Sequence, residues 1–178
     1  MLDVYKIRKD FPILGKKVNN TDLIYFDNAA TSQTPNQVID AISNYYKENN
    51  SNIHRGLHSL SADATNKYEN SRSIIKNHFG AAYEHEIIFT SGTTHGINIV
   101  SSGLEKSISS KDELIVSEME HHSNIVPWQM LCEKTGSKLK VIPINDDGTL
   151  DMNEYKSLLT NQVKFVFINH VSNTLGIV

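Results

Sequence analysis

The chain has 178 residues, of which 39% are hydrophobic and 21% are charged, and its formal net charge is −3. This length and composition suit one globular domain with a sizeable core, and the charge gives no basic field for nucleic acid or an anionic membrane. No apolar run has the length of a membrane-spanning helix, and the first residues are not typical of a signal or transit peptide. The single cysteine, Cys132, excludes an internal disulfide and favours a reducing compartment, so we expect a cytoplasmic protein.

The first 80 residues are polar at the start and then predict one strand and two helices. Residues 1–22 are irregular and form an N-terminal segment. The predicted elements are a short buried strand at 23–26, a helix opened by Pro35, and a helix capped by Asp63 and stopped by Gly80. A loop between the two helices carries His54, Arg55 and His58.

From residue 86 onward, strand and helix patterns alternate. Predicted strands lie at 86–90, 114–116, 138–144 and 163–168, and predicted helices begin at Thr93, after His122 and at Asp151. Pro143 indicates a strand end or a sheet edge, and Gly136 stops the middle helix. Such alternation predicts an α/β fold with a mostly parallel sheet and helices on both faces.

The stretch at 87–98 has the pattern of a phosphate-binding strand-to-helix turn. Gly92 allows a sharp turn, and Thr93 and Thr94 fall in the first helical turn, where backbone N–H groups lack intrahelical partners. Free donors, two hydroxyls and the helix dipole suit a phosphate. An ordinary capped helix start is the alternative, because Ser and Thr are common N-caps.

Polar clusters follow four of the predicted strands, at 27–28, 91–94, 118–122 and 170–173. In parallel α/β folds, ligands bind at the carboxyl ends of the strands. Their shared placement favours one ligand site over four unrelated surface loops.

Five stretches together resemble the Suf-type cysteine desulfurases, of the class-V aminotransferase family within the fold-type I pyridoxal phosphate enzymes. They lie at 25–31 with Pro35, 52–61, 89–98, 118–129 and 170–176. The most specific is Glu-His-His-Ser-Asn-Ile-Val-Pro-Trp at 120–128. The resemblance runs from about Phe11 to the last residue.

The resemblance implies a fold, an activity and partners. Residues 23–178 would be the N-terminal part of the large, pyridoxal 5'-phosphate-binding domain, with the C-terminal remainder absent, so we interpret the chain as truncated or a fragment. The enzyme would take sulfur from L-cysteine, leaving L-alanine and an enzyme persulfide for iron-sulfur cluster assembly. Homodimerisation and a sulfur-acceptor protein of the Suf system are also implied.

The same resemblance assigns roles around the cofactor. Thr93 and Thr94 would hold its phosphate, and His121 would stack on its ring and relay a proton as a catalytic residue. Asn173 would touch the ring's phenolic oxygen and the substrate carboxylate. The alternatives are a surface or metal-binding histidine for His121, although adjacent residues such as His122 make poor joint ligands, and a turn residue for Asn173.

Four residues of the first half are implied at the substrate side. Ala29 and Ala30 would leave space for the amino acid, and His54 with Arg55 would reach the site at a dimer interface. The alternative for Ala29 and Ala30 is that they are simply small residues at a strand–helix join, and the alternative for Arg55 is a solvated side chain. A metal pair of His54 and His58 lacks a completing ligand nearby, so we expect no metal site.

Some of the machinery is missing or altered. Cys132 lies on an apolar helical face and is expected to be a buried hydrophobe, not the nucleophile. The resemblance places the nucleophilic cysteine and the Schiff-base lysine beyond residue 178, so the chain alone is expected to be inactive. The glutamate that usually follows Gly-Thr-Thr is His95 here, which puts the dimer contact in doubt.

Two other functions stay open. One is a selenocysteine lyase, kynureninase-like or aminotransferase-like enzyme that uses the same half-site. The other is a truncated, non-catalytic remnant that serves in binding or dimerisation.

Overall fold

The computed structural model describes residues 2–178, which divide after Ile88 into two compact units. Each unit is described by itself. Within the described residues, no helix combines the length and the hydropathy that crossing a bilayer requires.

The first unit contains three α-helices and a small hairpin. Its elements are α1 (Val4–Arg8), β1 (Lys17–Val18), β2 (Thr21–Asp22), α2 (Asn36–Asn44) and α3 (Ser59–Phe79). β1 pairs with β2 in antiparallel fashion. Short 3₁₀ turns lie at Pro12–Gly15 and Glu84–Glu86, and a π-helical turn at Tyr45–Asn49 follows α2.

The predicted strands at 23–26 and 86–90 are not formed in the described chain. Neither run has a hydrogen-bonded neighbouring strand, and the side chains of Ile24 and Phe26 are 78% and 92% exposed. Both runs have the apolar and β-branched composition of a strand, but a strand also needs a ladder partner. These two predictions were therefore wrong for a reason that composition does not reveal.

The start of α3 also differs from the prediction. The helix begins at Ser59 and not after Asp63, because His58 is its N-cap and the imidazole Nδ1 accepts a hydrogen bond from the Ser61 N–H at 3.4 Å. Histidine is not among the usual N-cap residues, which explains the error. The predicted stop at Gly80 is confirmed, with φ of 67° in the left-handed region that glycine tolerates.

The second unit is a parallel three-stranded sheet with three helices. Its elements are α4 (Thr93–Leu104), β3 (Glu113–Ser117), α5 (Val126–Thr135), β4 (Lys138–Ile142), α6 (Met152–Leu158) and β5 (Val163–Phe167). The strand order is β4-β3-β5, and both pairings are parallel. The predicted α/β fold with a parallel sheet is thus confirmed.

Several local predictions in this unit are confirmed as well. β4 is an edge strand of this sheet and ends one residue before Pro143. Gly136 ends α5 with φ of 74°. The Asp151 carboxylate caps α6 by accepting from the N–H groups of Asn153 and Glu154.

The core of this unit lies between α4, α5 and one face of the sheet. Its buried members are Ile108, Leu114, Val116, Trp128, Leu131 and Cys132, and Ile97, Leu104, Leu139, Phe165 and Phe167 pack against them. The Trp128 and Phe167 rings stack 3.6 Å apart, nearly in parallel. Cys132 is therefore the buried hydrophobe that the sequence predicts.

An ion pair between a buried carboxylate and a half-buried lysine lies at the amino end of β3. The Lys140 ammonium contacts the Glu113 carboxylate at 2.8 Å, and the Thr160 hydroxyl donates to it at 3.2 Å. The hydrogen bond from Lys140 and the one from Thr160 lower the pKa of Glu113 below its ordinary value, although burial acts in the opposite direction.

Replacing Leu114 with Ala should destabilise the chain by about 2–5 kcal/mol, because the side chain is fully buried in the central strand. Urea unfolding followed by circular dichroism measures the change. Leu159→Ala is the matched control, since Leu159 is 47% exposed. An equal loss of unfolding free energy in the two variants would contradict the described core.

Glu113→Gln should make stability less dependent on pH. A carboxyl group whose folded pKa is lowered stabilises the fold above its unfolded pKa, near 4.5, and this contribution disappears as the pH falls through the folded pKa. The stability gap between wild type and variant should therefore be present at pH 7 and shrink below about pH 4.5. Urea titrations across this range measure it, with exposed Glu133→Gln as control; a gap that persists in acid would contradict the ion-pair assignment.

Candidate functional site

The N-terminus of α4 presents several donors without intraprotein acceptors. Gly92 precedes the helix with φ of 151°, a conformation that suits only glycine, and no side chain of the described residues caps the helix. The first backbone bond runs from the Gly96 N–H to the Gly92 carbonyl at 3.1 Å. Within residues 2–178, the N–H groups of Thr93, Thr94 and His95 and both threonine hydroxyls have no hydrogen-bond partner.

His95 stabilises the turn in front of this helix. Its Nδ1 accepts a hydrogen bond from the Ser91 N–H at 3.3 Å and lies 3.0 Å from the Ser91 hydroxyl. The Thr90 hydroxyl donates to the Gly92 carbonyl at 3.1 Å. The residue that departs from the family pattern thus has a local role at the first turn of α4, which sequence reasoning missed.

A buried carboxylate, Glu120, organises the loop after β3. It accepts hydrogen bonds from the Ser117 hydroxyl at 2.6 Å, from the Asn124 amide at 2.7 Å and from the Asn169 N–H at 2.9 Å. The last of these bonds ties the carboxyl end of β3 to that of β5. Sequence reasoning did not single out Glu120; its only local signal is the spacing of Ser117 and Asn124 around it.

His121 is exposed and begins the 3₁₀ turn His122–Asn124. Its Nδ1 accepts from the Ser123 N–H at 3.1 Å and lies 2.8 Å from the Ser123 hydroxyl. The ring is tilted by 44° to that of His122, 6.2 Å away. Among the described residues, no group of three or more His, Cys, Asp or Glu side chains is arranged to hold a metal ion.

Asn173 lies in a tight turn beyond β5. The Ser172 hydroxyl is buried and accepts from the N–H groups of Thr174 and Leu175 at 3.3 and 3.1 Å. The Asn173 side chain is exposed, and its amide donates to the Thr174 hydroxyl at 3.4 Å. Its amide therefore projects from an ordered turn.

A cavity of about 460 Å³ opens on this side of the second unit. Its walls come from α4, the loop after β3 and the end of β5, and the lining residues are Thr93, Gly96, Ile97, Val100, Asn124, Trp128, Val166, Phe167 and Ile168. The turn His122–Asn124 packs against α4. Thr93 thus lies near the loop that carries His121, whereas Thr94, His121 and Asn173 do not line the cavity.

The other predicted site residues belong to the first unit. Ala29 and Ala30 are exposed in a turn closed by the Thr31 N–H, which donates to the Asp27 carbonyl at 3.1 Å. The Tyr25 hydroxyl donates to the Thr31 carbonyl at 2.7 Å. This turn is held by its own backbone and not by a neighbouring strand.

His54 and Arg55 differ in how they are held. His54 has φ of 65°, its N–H donates to the Thr65 hydroxyl at 2.9 Å, and its Nε2 lies 3.2 Å from the Glu69 carboxylate. Arg55 is exposed and makes no ion pair or hydrogen bond within residues 2–178. The loop therefore fixes its histidine on α3 and leaves its arginine available.

Comparison with known proteins places the chain in a family. Residues 24–178 match the model of the class-V aminotransferases, and the chain belongs to this family. Membership implies pyridoxal 5'-phosphate as the cofactor, as the sequence resemblance also implied.

The relatives are cysteine desulfurases. The chain is 50% identical to a probable cysteine desulfurase of Staphylococcus epidermidis over 98% of its own length and 42% of that protein. A cysteine desulfurase structure from Thermococcus onnurineus NA1 is similar to the chain with a TM-score of 0.88 and 40% identity. The match covers 99% of this chain and 42% of the T. onnurineus chain. The Escherichia coli cysteine desulfurase CsdA matches 99% of the chain with a TM-score of 0.81 and 29% identity, over 43% of its own chain. The chain thus spans less than half the length of these relatives.

Proposed function

We propose that this chain is the N-terminal, cofactor-cradling part of a cysteine desulfurase. Such an enzyme converts L-cysteine and an enzyme thiol into L-alanine and an enzyme persulfide. The sulfur leaves the β-carbon of the substrate and joins the thiol sulfur, so the reaction needs no external oxidant or reductant. The observation that carries the proposal is the donor-rich first turn of α4 in a chain 50% identical to a probable cysteine desulfurase.

The residues at the start of α4 fit the cofactor's phosphate. Three N–H groups without intraprotein acceptors and the hydroxyls of Thr93 and Thr94 are available there in the described chain. The positive end of the helix dipole adds to their attraction for an anion. Gly92 leaves this turn open, because a Cβ added at this position would meet no atom of residues 2–178 within 4 Å beyond its own chain neighbours.

His121 would serve at the cofactor's ring. When bound, pyridoxal phosphate supplies the electron sink that allows bonds of an amino acid substrate to break. The exposed imidazole of His121 can stack on an aromatic ring and move a proton, as general acid–base catalysis requires. Its attachment to Ser123 keeps the ring in one orientation.

The remaining assignments concern the substrate and the assembly. Asn173 would bind the ring's phenolic oxygen and the substrate carboxylate, and Ala29 with Ala30 would leave room for the amino acid. His54 and Arg55 would complete the site across a homodimer interface; the guanidinium of Arg55, which makes no ion pair or hydrogen bond within residues 2–178, suits a carboxylate. The full enzyme would work in the cytoplasm and pass sulfur to a Suf acceptor for iron-sulfur cluster assembly. The catalytic lysine and cysteine would lie outside this chain.

The double variant Thr93→Val, Thr94→Val should weaken binding of pyridoxal 5'-phosphate at α4. The change removes both hydroxyls at nearly constant volume. In ¹H–¹⁵N spectra of the chain, added pyridoxal 5'-phosphate should shift the amides of residues 93–95, and pyridoxal without phosphate should shift them far less. These spectra also distinguish this site from random reaction with surface lysines.

The matched control is Ser102→Ala, which removes an exposed hydroxyl from the same helix. It should leave the titration unchanged, whereas the double variant should raise the apparent Kd about tenfold, the effect of losing roughly 1.4 kcal/mol of hydrogen bonding. If added pyridoxal 5'-phosphate does not shift the amide signals of residues 93–95 in the wild-type chain, the phosphate assignment is overturned.

His121→Ala should abolish most desulfurase activity in a chimera of this chain and the C-terminal remainder of the S. epidermidis relative. Loss of a positioned acid–base group typically costs about 10²–10⁴-fold in rate. Alanine release from L-cysteine measures activity, and L-selenocysteine is assayed beside it.

His122→Ala and Cys132→Ser are the controls, since neither residue is assigned to the site. Both should retain nearly full activity. A folded, yellow chimera that leaves L-cysteine intact would contradict the proposed reaction, and full activity of His121→Ala would remove the role of His121.

A further inference from the structure

The Glu120 carboxylate closes the loop that carries His121. Glu120 is only 7% exposed, and three donors surround its two oxygens. The bond from the Asn124 amide spans the loop from its last residue to the residue before His121. A backbone bond from the Asn124 N–H to the His121 carbonyl, at 2.7 Å, closes the same loop a second time.

The orientation of Asn124 is itself fixed. Its Nδ2 donates to the carboxylate, and its Oδ1 accepts from the Trp128 Nε1–H at 2.9 Å. Because an amide donates at one end and accepts at the other, these opposite partners allow a single orientation. The ring of Trp128 is in turn held in the core against Phe167.

Inside this closed loop, the backbone determines which nitrogen of His121 can carry a proton. The Ser123 N–H points at Nδ1 from 3.1 Å, and a backbone amide can only donate. Nδ1 is then the acceptor of this bond, and the Ser123 hydroxyl, 2.8 Å from Nδ1, can donate to it as well, so the neutral imidazole carries its proton on Nε2. In the other tautomer, Nδ1–H could still donate to the Ser123 hydroxyl, but it would face the Ser123 N–H and lose the bond from that backbone amide.

We propose that Glu120 is a positioning residue that keeps His121 in its Nε2–H form by holding residues 120–124 closed. The consequence is that Nε2, the ring nitrogen on the side away from Ser123, is the one that can donate a proton. This role of Glu120 gains its catalytic meaning from the proposed function, but the tautomer is a property of the chain itself. Breaking the bond between Glu120 and Asn124 would leave the loop closed only by the bond from the Asn124 N–H to the His121 carbonyl, which would loosen Ser123 and allow both tautomers.

Long-range ¹H–¹⁵N spectra of the histidine rings test the proposal in the chain without cofactor. The chain has eight histidines, and His121→Gln identifies the signals of His121 by their loss. At a pH high enough to keep the His121 ring neutral, Nδ1 should have the ¹⁵N shift of a non-protonated nitrogen and Nε2 that of a protonated one. A proton on Nδ1, or averaged shifts at both nitrogens, would overturn the tautomer assignment.

Two variants test the role of Glu120. Glu120→Gln keeps the shape but puts an NH₂ group where an acceptor is needed, so the His121 nitrogens should move toward averaged shifts. Asn124→Ala cuts the same tie from the other end and should give the same result if the first variant does not fold. Circular dichroism verifies folding.

Glu118→Gln is the matched control, because Glu118 lies in the same loop region and its carboxylate accepts from the Ile144 N–H at 3.1 Å. It removes the same charge and should leave the shifts of His121 unchanged. A fixed Nε2–H form in folded Glu120→Gln or Asn124→Ala would exclude the positioning role.

Titration of the same samples with pyridoxal 5'-phosphate separates this inference from the proposed function. Unresponsive amides at 93–95 together with a fixed tautomer would reject the cofactor site and retain the role of Glu120. Responsive amides at 93–95 together with averaged shifts at the two His121 nitrogens would retain the cofactor site and reject the role of Glu120.

Discussion

The complete burial of β3 is the constraint on which the second unit depends. Leu114 and Ile115 are fully buried, and parallel strands pair with β3 on both sides. Parallel pairing brings the carboxyl ends of neighbouring strands to one edge, so the segments after β3 and β5 must emerge side by side. The bond from the Asn169 N–H to Glu120 is a direct result of this placement. The position of His121 therefore follows from the hydrophobic core beneath it.

Much of the second unit could be predicted from the sequence because its signals are local. Gly136 ends α5 and Asp151 caps α6 by interactions within a few residues, and Pro143 limits β4 for lack of an N–H. The helix start at Thr93 was likewise readable from the glycine before it. Each of these features depends on the backbone chemistry of one turn, which a single sequence displays.

The errors have a common physical origin in partners that are distant in sequence or unusual. The runs at 23–26 and 86–90 have strand composition, yet strand formation depends on a neighbour that composition does not specify. The cap of α3 by His58 uses a side chain outside the usual set. The network around Glu120 joins residues 49 positions apart, so it becomes visible only once the β3–β5 pairing is known. Roles taken from the family resemblance, such as that of Asn173, remain predictions.

The residues proposed for the site lie on two kinds of support. Thr93 and Thr94 offer donors at a helix start, where the backbone is rigid and the groups need no further partner to be available. His121 lies in a loop, and a loop histidine is ordinarily free to rotate and to change tautomer. Burying a carboxylate in that loop removes this freedom, since Glu120 must satisfy both oxygens and the Asn124 amide reaches one of them only when residues 120–124 are closed. A buried charge beside an exposed imidazole is costly for a surface turn, and its benefit here is a ring with a defined donor nitrogen.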